Sequence, residues 1–386
     1  MMRILMPSIV DPALNLGGAW TSTRGILDLL RSTPFEAEVV CVPTANLSWA
    51  AHRTRRYLAL AQSLFSGRPA KFQFQYSRQM LATVGQLLHE QDFDLILLNG
   101  SDLLWMLPHL PPSAARMLFA HNIEHLLYAD QINIRYPSPS PLKTLLQKDC
   151  ARLREQELAG LQAVGNVLFL STDDEAYARR ECPHLATITV PPLMSGKAAP
   201  RPVRLNTTPT IEVGMLANFE WWPSQQGVRW FLRDVFPHLH SGVRLHLFGK
   251  RSEDVATAHP RVLKHGYVPE LDAVSSTCDF MICPVFAGGG VSVKLAEAVC
   301  RGLPVLATRY ATRGLPIDPD PAIVLRESAS EWIEFLNSEA ARELCRLSPS
   351  PRIIARFLPD NHAGRLADFL RTVVITQASA AASVSD

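Results

Sequence analysis

Short apolar runs recur along the chain, and between them the apolar positions fall three or four residues apart, the spacing that puts them on one helix face. In the first half, the runs at 3–6, 39–42, 93–98, 117–120 and 167–170 read as buried strands. A loop ending in Gly17 and Gly18 leads into a helix to about Leu30, and Met80, Val84, Leu87 and Leu88 mark a helix over 79–89. The same rhythm restarts at 211–215 and continues through 244–248, a run within 262–268, then 280–283 and 305–307. Pro223 stands where a first helical residue belongs, ahead of the face made by Val228, Phe231, Leu232 and Val235. Further helices are expected over 291–301, 331–336, 340–347 and 353–374. Such alternation predicts an α/β protein with open, mostly parallel sheets covered by helices on both faces. Between the halves, PPLMSGKAAPRPVRLNTTP breaks the pattern. The expected organisation is an N-terminal domain over 1–192, a linker over 193–209, a second domain over 210–350, a C-terminal helix over 351–376 and a disordered tail over 377–386.

Composition narrows this picture without redirecting it. A length of 386 residues suits two domains, and 47% hydrophobic content can fill two cores. A net charge of +2 gives no reason to expect nucleic acid as a partner. Seven cysteines with no CxxC pair support neither a disulfide framework nor a zinc ribbon, so reduced thiols in a cytoplasmic protein are expected. The opening MMRILMPSIV lacks the length and cleavage pattern of a signal peptide. No run reaches the roughly 18 apolar residues of a spanning helix, so membrane contact is expected only at the surface, on the inner face.

The stretch FMICPVFAGGGVSVKLAEAVCRGLPVLAT holds the strongest candidate chemistry. It reads as strand, glycine loop, helix, turn and strand. Gly288, Gly289 and Gly290 let backbone amides approach a ligand closely, and the following helix N-terminus favours negative charge. Lys294 falls in the first turn, where the helix dipole alone disfavours a cation, and an anion between them would account for both features. Glu297 can present a carboxylate to hydroxyl groups. Phosphate beside glycines, with hydroxyls beside a carboxylate, suggests a nucleotide sugar. The same residues also fit an ordinary strand-to-helix turn with a surface lysine and a solvated glutamate. Neither a phosphate-binding GxxxxGK loop nor a dinucleotide GxGxxG fingerprint is present.

CPVFAGGGVSVKLAEAVCRGLPVLAT resembles the signature of the retaining glycosyltransferases with the GT-B fold, the glycosyl transferases group 1 family. VGMLANFEWWPSQQGVRWFLRDVFP resembles the subset of that family with a Trp-Pro pair after the second domain's first strand. LHLFGK and KHGYVPELDAVSSTCDFMICP follow in the family's order, and Gly17-Gly18, FAHNIEH and STDDEAY carry a looser likeness in the first half. The resemblance implies two Rossmann-like domains facing across a cleft, with the C-terminal helix crossing back to the first domain. It implies that Glu297 binds the donor ribose and that Lys294, Gly289 and Gly290 face the diphosphate. Gly17 and Gly18 would approach that diphosphate from the first domain, and His121 would be the catalytic residue near the transferring sugar. It implies no metal and no cofactor beyond the nucleotide sugar as co-substrate, and a glycan or lipid-linked acceptor. Two departures stand out. Gly289 occupies the place of a second family glutamate, and MLANFEWW lacks the family's basic pair, for which Lys250 or Arg251 is the candidate phosphate contact.

Other patterns compete. HNIEH, His121 to His125, formally matches an HxxEH zinc motif with Glu124 as base, yet it directly follows a strand. No acidic residue occurs from 39 to 89, while Arg53, Arg55 and Arg56 precede an apolar face of Tyr57, Leu60, Ala61, Leu64 and Phe65. That segment fits either anionic lipid headgroups or a phosphorylated acceptor, or else a solvated face. Trp49, Phe72, Phe74 and Tyr76 alternate as a strand face or acceptor groove would. Asp318-Pro-Asp320 and Asp92-Phe93-Asp94 contain the DxD pattern of metal–diphosphate sites but read as turns. Rival functions on this reading are a nucleotide-sugar epimerase on the same fold, a non-catalytic nucleotide-sugar binder and a zinc hydrolase.

Overall fold

A computed structural model describes residues 2–11, 18–33, 38–43, 53–194, 210–268 and 272–384. Gly17, Trp49 and most of the expected linker lie outside the described residues, as does the side chain of Arg53. The chain divides into two compact units, Met1–Ser195 with Pro359–Asp386, and Gly196–Leu358.

The first unit is built on a six-stranded sheet of β1 (Arg3–Ser8), β2 (Glu38–Pro43), β3 (Leu95–Asn99), β4 (Arg116–Ala120), β5 (Asn166–Phe169) and β6 (Ala186–Thr189) in the order β2-β1-β3-β4-β5-β6. Every pairing is parallel. β3 is buried along its whole length, as its continuous apolar run requires of a central strand covered on both faces. The second unit repeats the architecture with β7 (Ile211–Leu216), β8 (Val243–Phe248), β9 (Val262–Gly266), β10 (Phe280–Cys283), β11 (Val305–Ala307) and β12 (Ile323–Leu325), ordered β12-β11-β10-β7-β8-β9 and parallel throughout. In both sheets the chain reverses its direction of travel at the centre, between β1 and β3 and between β10 and β7. At such points two loops diverge from the carboxyl ends of neighbouring strands and leave a place for a ligand.

Three elements differ from expectation. The helix after the glycine loop is Val293–Cys300, because the loop stays non-helical through Ser292. Phe72 and Phe74 are buried on a short helix, Ala70–Gln75, rather than on a strand. The final helix is interrupted: Pro351–Ala355 ends before Pro359, and Ala363–Val384 then runs through most of the segment expected to be a tail. Proline removes a helical donor, and the alanines of QASAAASV favour continuation.

Candidate functional site

In the second unit, β10 ends at Pro284 and the chain enters the glycine loop. Gly288 and Gly290 have φ of 127° and 63°, a region closed to most side chains. The loop is fastened through its carbonyl groups. The Arg313 guanidinium donates to the Gly288 oxygen at 3.0 Å and the Gly290 oxygen at 2.9 Å, and the Tyr310 hydroxyl donates to Gly288 at 2.7 Å. Arg313 also lies over the Tyr310 ring at 4.5 Å. With the carbonyls engaged, none of the backbone amides from Phe286 to Ser292 donates a hydrogen bond to a described residue. Runs of free amides in such turns bind anions.

The helix Trp222–Trp230, which follows β7, closes against this loop. A β-carbon at Gly227 would collide with the Pro284 carbonyl oxygen, so only glycine permits this approach. Pro223 lies beside Gly288, and Ser224 Oγ accepts from Lys294 Nζ at 3.3 Å. Lys294 is half-buried and forms no ion pair with a described carboxylate. Burial holds its pKa below the ordinary lysine value. The carboxylate of Glu297, also half-buried, has no hydrogen-bond partner among the described residues, and burial pushes its pKa up to about 7 against the pull of Arg301. Ser292 caps the helix without a side-chain bond, and its Oγ is buried without a partner. A cation and free amides therefore lie beyond the carboxyl end of β10, at the central crossing of this sheet, with the Glu297 carboxylate three residues further along the helix.

Lys250 and Arg251, the expected substitute phosphate contacts, are held by acids: Lys250 pairs with Glu220 at 2.8 Å and Arg251 with Asp254 at 2.8 Å. The crossover from β8 to β9 contains only the short turn Ser252–Asp254 and no α-helix. A cavity of about 540 Å³ lies there, lined by Gln225, Val228 and Arg229 of the helix, by Leu232 just beyond it, and by Arg251 and Asp254. Asp318 binds Arg356 at 2.5 Å and Arg352 at 3.3 Å, while Asp320 accepts from the Ser350 amide at 3.0 Å. That acidic pair is a structural clasp. Cys278, Cys283 and Cys300 are buried and form no disulfide.

In the first unit, a polar chain crosses the carboxyl ends of the central strands. Asn99, the last residue of β3, donates to Ser8 Oγ of β1 at 2.7 Å and to Thr23 Oγ1 at 3.0 Å. Its remaining amide oxygen therefore accepts from His121 Nε2, 2.7 Å away at the end of β4. That bond places the imidazole proton on Nε2 and leaves Nδ1 as a buried lone pair without a partner. Burial lowers the His121 pKa to about 4, so the ring is neutral near neutral pH. Gly18 opens the helix Gly18–Arg31 and is exposed.

His121 and His125 do not share a helix face. His121 precedes the helix Glu124–Arg135, whereas His125 lies inside it and bonds Glu157 at 2.7 Å and Tyr177 at 2.8 Å. The wholly buried Glu157 carboxylate also accepts from the amides of Glu124 and His125, at 2.8 and 3.0 Å, and so occupies this helix N-terminus. Glu124 is paired with Lys71, and Asp102 lies 4.0 Å from the same ammonium. Burial alone would lower the Lys71 pKa, but the two carboxylates raise it, while burial drives Asp102 up to about 7. Arg55 donates to the Phe74 carbonyl oxygen at 2.9 Å, and Arg56 lies over Tyr57. Asp94 accepts from the Arg3 amide at 2.7 Å and serves as another clasp.

Sequence reasoning missed Arg313, Tyr310, Ser224 and Asn99. Only Asn99 carried a local signal, as a polar residue closing the apolar run before Gly100.

Residues 210–336 match the family model described as Glycosyl transferases group 1. No curated protein matches the chain. Among solved structures, a sucrose-phosphate synthase from Thermosynechococcus elongatus is similar at a TM-score of 0.66 and 15% identity, with 97% of this chain and 100% of that one covered. HepE of Anabaena, in complex with UDP and glucose, gives 0.61 at 14% identity, with 96% and 100% covered. WaaG, a glycosyltransferase involved in lipopolysaccharide biosynthesis, gives 0.54 at 14% identity, with 98% of each chain covered. The fold is that of GT-B glycosyltransferases.

Proposed function

We propose that this protein transfers a sugar from a nucleoside-diphosphate sugar to a glycan or lipid-linked acceptor, with retention at the anomeric carbon. One observation carries the donor half: Lys294, half-buried without a carboxylate partner among the described residues, stands beside a loop whose amides from Phe286 to Ser292 have no acceptor there. A diphosphate offers the charge and the oxygens that both lack. Glu297 lies three residues further along the same helix and is assigned to the donor ribose hydroxyls. His121 is assigned to a sugar hydroxyl, which would donate to its unpaired Nδ1. Gly289 and Gly290 supply amides to the diphosphate, and Gly18 marks the first unit's helix start for the same task.

In the transfer, the bond from the anomeric carbon to the diphosphate oxygen breaks and the acceptor oxygen bonds on the same face. The acceptor's proton leaves with the diphosphate. Lys294 and the loop amides stabilise the charge that grows on the leaving group, so this proposal requires no metal ion. Retention is taken from the family resemblance of the second unit. Support for the partner classes comes from HepE, solved with UDP-glucose, and from the lipopolysaccharide role of WaaG.

The test is a thermal-shift screen against UDP-, GDP-, ADP- and dTDP-sugars, followed by product analysis with candidate acceptors. At least one donor should raise the unfolding midpoint, since a ligand bound to the native state stabilises it. With an acceptor, nucleoside diphosphate should appear together with a glycosylated product. A screen without any shift would overturn the donor assignment. A sugar altered with no release of nucleoside diphosphate would instead identify an epimerase.

A further inference from the structure

The helix Arg53–Ser66 is mounted with its apolar side outward. Tyr57, Leu58, Leu64 and Phe65 are 55%, 57%, 47% and 91% exposed, and Ala61 between them is exposed as well. These positions follow the i, i+1, i+4, i+7, i+8 spacing of a single helical stripe. In most surface helices that stripe faces the core. Here the core-facing side is made by Arg55, Ala59 and Ser63. Ala59 and Ser63 are buried, Arg55 donates to the Phe74 carbonyl, and Ser63 accepts from Arg152 at 2.7 Å. The helix is fixed by polar bonds while its large apolar side chains stand in solvent. Leu60, expected on the apolar face, is half-buried, and Leu58 takes its place in the stripe.

Charge identifies what such a stripe would meet. Arg56 and Arg68 flank it, and the sequence has no aspartate or glutamate from 39 to 89. A partner protein with an apolar groove would leave this one-signed charge without a role, whereas a bilayer rich in anionic headgroups satisfies stripe and charge together. We propose that the helix Arg53–Ser66 lies in the plane of an anionic lipid surface, with Tyr57, Leu58, Leu64 and Phe65 entering the headgroup–acyl boundary and Arg56 and Arg68 among the headgroups. Arg152 and Phe74 hold the helix in this orientation before contact, so little ordering is needed on binding.

The experiment is co-sedimentation of the full chain with vesicles of phosphatidylcholine alone and of phosphatidylcholine mixed with phosphatidylglycerol. Binding to the mixed vesicles, weakening as salt rises and falling at least tenfold in the Leu58→Ser, Phe65→Ser double variant, is the expected result. Both positions are exposed, so circular dichroism and the unfolding midpoint of the variant should match the parent. No binding to anionic vesicles, or binding that the double variant retains, would overturn the proposal. So would a dimer in analytical ultracentrifugation that the same variant dissolves, because a second copy would then cover the stripe. Membrane docking and sugar transfer stand apart: nucleotide-sugar binding should be unchanged in the double variant, whichever way the vesicle result falls.

Discussion

Lys294 and Glu297 are each poorly satisfied by their own protein, and that imbalance is measurable. Glu297 has its pKa raised from 4.5 to about 7 by burial. The native state therefore holds this proton more tightly than the unfolded chain, and stability falls as pH rises between those values. Glu297→Gln should raise stability near pH 8 by about 1–3 kcal/mol in urea unfolding, an effect absent near pH 4. It should also weaken donor binding, because the amide loses the negative charge and replaces one of the two acceptor oxygens with a donor. Donor affinity in the parent should climb with pH through about 7 and decline again where Lys294, its pKa lowered by burial, loses its charge. A flat calorimetric profile across that range would count against Glu297 as a ligand. In the first unit, Asn99→Asp should replace a neutral acceptor with a charged one and draw His121 upward from about 4. An imidazole titration by NMR should show a rise of about one to two pH units, and an unmoved resonance would mean that Asn99 does not control the ring.

At the scale of elements, the glycine loop keeps its shape because Arg313 and Tyr310 grip its carbonyl oxygens from outside the sequence motif. Arg313→Leu should leave the fold intact and reduce donor affinity about tenfold or more, since the amides would no longer be held in one arrangement. Equal affinity in parent and variant would show that the loop orders itself. Gly227→Ala should cost about 1–3 kcal/mol by forcing the helix Trp222–Trp230 away from Pro284, read as a lower urea midpoint. The apolar runs at 280–283 and 305–307 appear with the same bounds as β10 and β11, because Pro284 ends the first run and Pro304 precedes the second. Lys294 and Glu297 were legible for a similar reason: they lie within a few residues of the glycines. Arg313 was not, because it bonds backbone oxygens that any residue supplies, so no partner side chain marks it. The Ser224–Lys294 contact joins positions 70 apart and exists only once β7 and β10 are neighbours.

Across the whole molecule, two parallel sheets each turn at their centre, and each gathers its candidate residues there: Ser8, Asn99 and His121 in the first unit, the glycine loop, Lys294 and Glu297 in the second. The alternation of runs announced both sheets, but strand order came only from the coordinates, since periodicity marks elements and not their neighbours. Lipid docking by the helix Arg53–Ser66 would add a third function at a distance in sequence from the donor loop. Sugar transfer depends first on whether the second unit holds a nucleotide where Lys294 and the free amides meet. The most direct measurement is calorimetric titration of the intact chain and its Lys294→Ala variant with the nucleoside diphosphate of the donor found by thermal screening. The parent should bind at a single site, and the variant should bind at least tenfold more weakly with an unfolding midpoint close to the parent's. Equal affinities would place the diphosphate elsewhere and contradict the donor site described for this loop.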